Sequence, residues 1–134
     1  MDIALLKGEP AAVEVQALLA DARLTSTGVV EVIDQLVGVL GHDIDEVVLD
    51  LAELGLLDAL AVEDVDGLQA GLLRAEHYHR SRRAVSLADC VVAQAGRRHH
   101  APVATADPHL LDLCHAEAIP VLVLPDSAGQ RWHP

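Results

Sequence analysis

An α/β domain built on a mainly parallel sheet is the fold class this sequence predicts, and three observations predict it. Short aliphatic runs alternate with stretches of helical periodicity along the chain, which is the pattern of βαβ units. At 134 residues the chain is one domain with room for a core of its own, and 51% of its residues are hydrophobic. That apolar content is aliphatic and Ala-rich, with no Phe, one Tyr (Tyr78) and one Trp (Trp132). Internal repeats and low-complexity linkers are absent.

Taken in order, Pro10 suits the first turn of a helix running to about residue 21, with Val13, Ala17, Leu18 and Leu19 on its apolar side. Residues 23–27 read as a short strand ending in helix-capping chemistry. A helix then covers about 29–40 and stops at Gly41. Asp43 caps the next helix, which ends near Gly55. Residues 59–62 fit a strand, and Asp64 opens a long helix to about residue 80. Ser86 is an N-cap with Asp89 three residues later, close to a capping box, for a helix reaching about His99. Residues 102–105 form a strand, Pro108 starts another helix, and 119–124 read as a final buried strand. The tail over 125–134 is expected to be loosely held.

The formal net charge of −12 argues against a simple electrostatic nucleic-acid binder. Its distribution is uneven. Six of the nine Lys and Arg residues (Arg74, Arg80, Arg82, Arg83, Arg97, Arg98) lie between positions 74 and 100, against only Glu76 and Asp89. They form either a solvated basic face or a surface for an anionic ligand beside an acidic pocket. Cys90 and Cys114 make no CxxC and read as buried small hydrophobes, which suits a reducing, cytoplasmic setting. No signal peptide or membrane span is expected. Among eight histidines, neither the pair His77 and His79 nor the pair His99 and His100 has a convincing third metal ligand, and His109 and His115 read as surface residues. Neither a Gly-rich phosphate loop nor a nucleophile elbow occurs.

Three acids stand at element junctions. Glu31 begins a helix after a strand, Asp89 lies in a first helical turn, and Asp107 falls just past the C-terminal end of a strand. Each has an ordinary role available, as a complement to the helix dipole or as a cap. In an open parallel sheet, however, ligands bind at the carboxyl ends of strands. Two acids converging there, with no Lys nearby to neutralise them, suggest a site for a hard divalent cation.

Five segments, in this order and spacing, resemble the PIN-domain family, in particular small toxin nucleases of the VapC type. They are Ala-Leu-Leu-Lys-Gly-Glu-Pro at 4–10, Val-Val-Glu-Val-Ile-Asp at 29–34, Gly-Leu-Leu-Arg-Ala at 71–75, Ser-Leu-Ala-Asp-Cys at 86–90 and Pro-Val-Ala-Thr-Ala-Asp at 102–107. The resemblance implies a three-layer α/β/α fold in which Glu31, Asp89 and Asp107 are three of four catalytic, metal-binding acids. It implies that Ser86 and Thr105 support the site. The implied activity is endoribonuclease hydrolysis of RNA phosphodiesters with Mg²⁺ or Mn²⁺, in a type II toxin–antitoxin system with a cognate antitoxin and a homodimeric toxin. Clustered carboxylates draw in an oxygen-loving cation. Such a cation activates water and offsets charge developing on the phosphorus centre. Arg74, Arg82 and Arg83 are candidate RNA contacts, which would make binding salt-sensitive.

The chain departs from the family at its start. The first acid normally ends the first strand, in a pattern such as Asp-x-Ser-Ala-Leu ahead of the Leu-Leu-Lys-Gly-Glu-Pro segment. Here Met1 stands six residues before Lys7, and Asp2, the only acid available, falls where the first helix is expected. The expectation is therefore a sheet whose central first strand is missing, with costly unpaired edges. Either the start is placed too late, which the abrupt beginning favours, or this is a shortened, catalytically impaired member. In the second case the chain is a partner-binding module, using helices at 29–40 and 43–54 that carry more Leu, Val and Ile than one buried face needs.

Overall fold

Three apolar residues make the centre of the sheet. In a computed structural model of the chain, described over residues 4–8, 21–126 and 128–134, Ala4–Leu6 form strand β1. It is followed by β2 (Ala22–Arg23), helix α1 (Ser26–Ile33) with a π-helical continuation (Asp34–Val39), α2 (Ile44–Glu53), α3 (Asp64–His77), α4 (Leu87–His99), β3 (Val103–Thr105), α5 (Pro108–Ala116) and β4 (Val121–Val123). The sheet runs β2-β1-β3-β4 and every pairing is parallel, with Ala4 opposite Ala22, Leu5 opposite Val103 and Ala104 opposite Leu122. The expected gap at the sheet centre is therefore filled. The residues that fill it, 4–6, are ones the resemblance would place in the first helix. Residues 10–20 of the helix expected from Pro10 to about residue 21, and Asp2, lie outside the described residues.

Alternation along β1 builds the two outer layers. Successive strand side chains point to opposite faces. Leu5 joins Val103, Leu73, Cys90, Leu110 and Leu113 in a core under α3, α4 and α5. Leu6 joins Ala104, Leu24, Val32, Val47 and Leu51 in a second core under α1 and α2. Leu5, Leu6, Val103 and Ala104 are all fully buried, so the central strands are covered on both faces, as parallel sheets require.

Small residues let these layers approach. A Cβ on Gly96 of α4 would stand 2.8 Å from Val103 Cγ2 and 3.0 Å from the Ala101 carbonyl oxygen. Gly96→Ala is expected to destabilise the fold by about 1–3 kcal/mol through overpacking, read by urea unfolding. An unchanged midpoint would contradict this helix–strand contact.

Local chemistry accounts for most boundaries, including two that differ from expectation. Thr25 Oγ1 accepts from Gly28 N at 3.0 Å, so residues 25–27 become a helix start rather than the end of a strand. The segment at 59–62 yields only a parallel bridge between Thr25 and Leu60, its backbone pairing being Leu60 N donating to Leu24 O and Ser26 N donating to Leu60 O. Asp43 caps α2 through Glu46 N at 3.0 Å. Gly41 and Gly55 end helical segments at φ +74°, where a Cβ would be strained.

Asp66 is a buried acid with a structural explanation. Its oxygens accept from Arg98 Nε at 2.7 Å, Arg98 Nη2 at 2.8 Å and Glu63 N at 2.9 Å. Burial pushes its carboxyl up, but Arg98 and these hydrogen bonds outweigh that and hold it below the ordinary 3.8. Asp66→Asn is expected to lower the urea midpoint at neutral pH. A depressed carboxyl contributes stability above its unfolded pKa and loses it as pH falls through the folded value. The gap between variant and parent should therefore close only below about pH 4.

Candidate functional site

The C-terminal ends of β1 and β3 and the first turn of α4 meet at one point, and caps hold the acids there. Ser86 Oγ accepts from Asp89 N at 3.0 Å, and Asp89 Oδ2 accepts from Ser86 N at 2.9 Å, which completes the capping box. Asp107 follows β3, with its N donating to Thr105 Oγ1 at 3.0 Å and its Oδ1 accepting from His109 N at 2.8 Å. Each aspartate thus commits one oxygen to a helix start and keeps the other for the site. The capping and ligand readings of these acids are compatible because different oxygens serve them.

The free oxygens face a lysine. Lys7 Nζ lies 3.2 Å from Asp89 Oδ1 and is hydrogen-bonded to Asp107 Oδ2. The expectation of acids without a neighbouring lysine is corrected here. Lys7 directly follows β1, so parallel pairing with β3 brings it beside Asp107, 100 residues away in sequence. Asp89 is 2% exposed, and its Oδ1 accepts no well-formed hydrogen bond. Burial pushes the Asp107 carboxyl up, but the Lys7 hydrogen bond and charge, with the His109 and Leu110 backbone N–H groups, hold it below the usual range.

Glu31, half-buried on α1, packs on the residue after Lys7. A Cβ on Gly8 would stand 2.7 Å from Glu31 Oε1 and 2.6 Å from the Gly28 carbonyl oxygen. Only glycine lets the strand end pass this close to α1. Glu31, Asp89 and Asp107 therefore surround the Lys7–Gly8 turn, with Ser86 and Thr105 bonded to the two aspartates. Asp34, one turn beyond Glu31, is exposed. His109 is half-buried, and its Nδ1 is enclosed without a hydrogen bond, which corrects its reading as a surface residue. Cys90 and Cys114 are buried free thiols, pushed up by burial to about 11 and about 12, so neither is a nucleophile at neutral pH.

A second cluster was not legible in the sequence. His77 Nε2 lies 2.6 Å from Glu117 Oε1, and Arg83 Nη1 lies 2.6 Å from His77 Nδ1. A guanidinium only donates, so Nδ1 accepts and Nε2 carries the proton toward Glu117. Among the described residues, Glu76, His77 and Glu117 are a set whose ligand atoms lie within 4.8 Å of one another. Both ring nitrogens of His77 are engaged, however, and Arg97 Nη1 stands 3.8 Å from Glu117 Oε2. A dication there would face two guanidinium groups. Glu117 is separated from Asp107 by the length of α5, about 14 Å at 1.5 Å per residue.

The candidate RNA contacts fall around this second cluster. Arg83 and Arg82 line a cleft of about 320 Å³ with Glu76, His77, Tyr78 and His79. Arg74 lies over the Tyr78 ring at 4.2 Å and donates from Nε to the Val85 carbonyl at 3.1 Å. Arg97 and Arg98 are engaged by Gln94 and Asp66. The basic stretch is thus partly internal pairing rather than one continuous face.

No protein-family model and no curated protein matches the chain. Among solved structures, the crystal structure of FitAcB from Neisseria gonorrhoeae is similar, with a TM-score of 0.59 over 89% of this chain and 96% of that one, at 16% identity. At that identity the likeness is one of fold, and the three-layer arrangement on an all-parallel sheet is PIN-like. No helix among the described residues is long and apolar enough to cross a membrane.

Proposed function

We propose that this chain is a PIN-like endoribonuclease of the toxin–antitoxin type, with its acid centre at Glu31, Asp89 and Asp107. The observation that carries the reading is the meeting of Asp89 and Asp107, from two separate elements, around one cation position at the C-terminal edge of the parallel sheet. The donor set suits a hard divalent cation. It consists of carboxylate oxygens, one of them buried and lacking a hydrogen bond. Asp89 and Asp107 would hold Mg²⁺ or Mn²⁺, with Glu31 beside them. Such an ion supplies an activated water and charge neutralisation during phosphodiester hydrolysis. The protein's own contribution is positional: the capping bonds at Ser86 and His109 fix both carboxylates before any ligand arrives. Exposed arginines, Arg82 first, supply salt-sensitive attraction for the RNA backbone.

The test is digestion of structured RNA by the purified chain in Mn²⁺, before and after chelation. Cleavage that stops on chelation and returns on adding Mn²⁺ supports the reading. Cleavage that survives chelation, or none by folded protein, overturns it.

A specific observation also favours the partner-binding alternative. Val39, Leu40, Ile44 and Leu49, around the π-helical segment and α2, are each more than half exposed. Exposed apolar side chains of this kind suit a second copy of the chain or an antitoxin segment, and either use would be compatible with the nuclease reading.

A further inference from the structure

We infer that Lys7 is a built-in counter-ion that a divalent cation has to displace, so that this acid centre is held shut by its own strand end. The inference rests on the proposed cation site and goes beyond it, assigning Lys7 the part of a competitor for the same two carboxylates. The ammonium stands where a cation held by Asp89 and Asp107 would stand, with Asp89 Oδ1 at 3.2 Å and Asp107 Oδ2 bonded to it. Asp89 Oδ1 is buried and accepts no well-formed hydrogen bond, so the charge of Lys7 substitutes for a donor there.

The backbone at Lys7 has little freedom. Its N donates to Ala104 O at 3.3 Å, Leu6 before it is fully buried, and Gly8 after it is wedged against Gly28 and Glu31. The side chain differs. It is 15% exposed at the sheet edge, on a flexible four-carbon stem, so its head can move to water while the strand stays in place. The ammonium fills the position between these two carboxylates that the ion would take, and its like charge repels an ion arriving beside it. Binding of the ion and withdrawal of Lys7 are therefore coupled.

Removing the ammonium should open the site. Lys7→Met keeps the stem volume and deletes the charge. It is expected to bind Mn²⁺ about tenfold tighter or more than the parent, read from the free-ion electron paramagnetic resonance signal. In chelator the same variant should melt below the parent, because Asp89 and Asp107 lose their counter-charge, and it should gain more from Mn²⁺ than the parent does. Lys7→Arg, which keeps the charge, should bind Mn²⁺ no tighter than the parent.

Equal Mn²⁺ affinity in parent and Lys7→Met would overturn the inference while leaving the cation site standing. Binding by neither would remove both. Tighter binding in Lys7→Met without RNA cleavage would support Lys7 as competitor and count against the nuclease. If Lys7→Met is unfolded in chelator, circular dichroism on adding Mn²⁺ decides: regained structure supports the inference, and none overturns it.

Discussion

Asp89→Asn is expected to reduce Mn²⁺-dependent RNA cleavage by at least about 100-fold, the scale seen when a preorganised electrostatic group is lost from an active site. The substitution isolates charge from structure. An asparagine carbonyl can still accept from Ser86 N, so the capping box persists and α4 starts in the same place. What disappears is the carboxylate oxygen facing Lys7. Asp89→Ala would confuse the two effects, since it also removes a cap contribution of about 1 kcal/mol. Cleavage rate and thermal midpoint should be measured on the same preparation. A fully active Asp89→Asn protein would leave Asp89 as a cap only, and the site would have to lie elsewhere.

Leu6→Ala is expected to destabilise the fold by about 3 kcal/mol, within the range for a leucine emptied from a core. Leu6 is 0% exposed and packs among Leu24, Val32, Val47, Leu51 and Ala104. Leu5→Ala should cost a similar amount by emptying the opposite layer, around Val103, Leu110 and Leu113. Together they report on whether β1 is central, because only a strand between two helical layers buries successive residues on both faces. Urea unfolding supplies the measurement. A loss below about 1 kcal/mol for both variants would mean that residues 4–6 are not the middle of this sheet.

Legibility in the sequence followed the range of the interactions. The α4 start is written in Ser86 and Asp89, three residues apart, and the α5 start in Asp107 and Pro108; both junctions were recognisable because their bonds are local. Glu31, Asp89 and Asp107 could be picked out as a group through resemblance to a family. The lysine between the two aspartates could not. Three apolar residues carry no period of their own, so Ala4–Leu6 become a strand only through pairing with residues 22–23 and 103–104. Lys7 acquires its place from that same pairing. His77 and Glu117 meet across 40 residues, and Arg98 and Asp66 across 32, which is why a basic stretch in the text is partly neutralised in the fold.

Paramagnetic broadening by Mn²⁺ in an amide ¹H–¹⁵N spectrum of the assigned protein tests the cation site most directly. It compares two clusters among the described residues that could hold the ion, without requiring turnover. The acid centre predicts that signals of Gly8, Glu31, Asp89, Cys90, Asp107 and His109 fade first, while those of His77, Arg83 and Glu117 persist. Broadening centred on His77 and Glu117, with Asp89 and Asp107 unaffected, would contradict the account and move the metal to the other cluster.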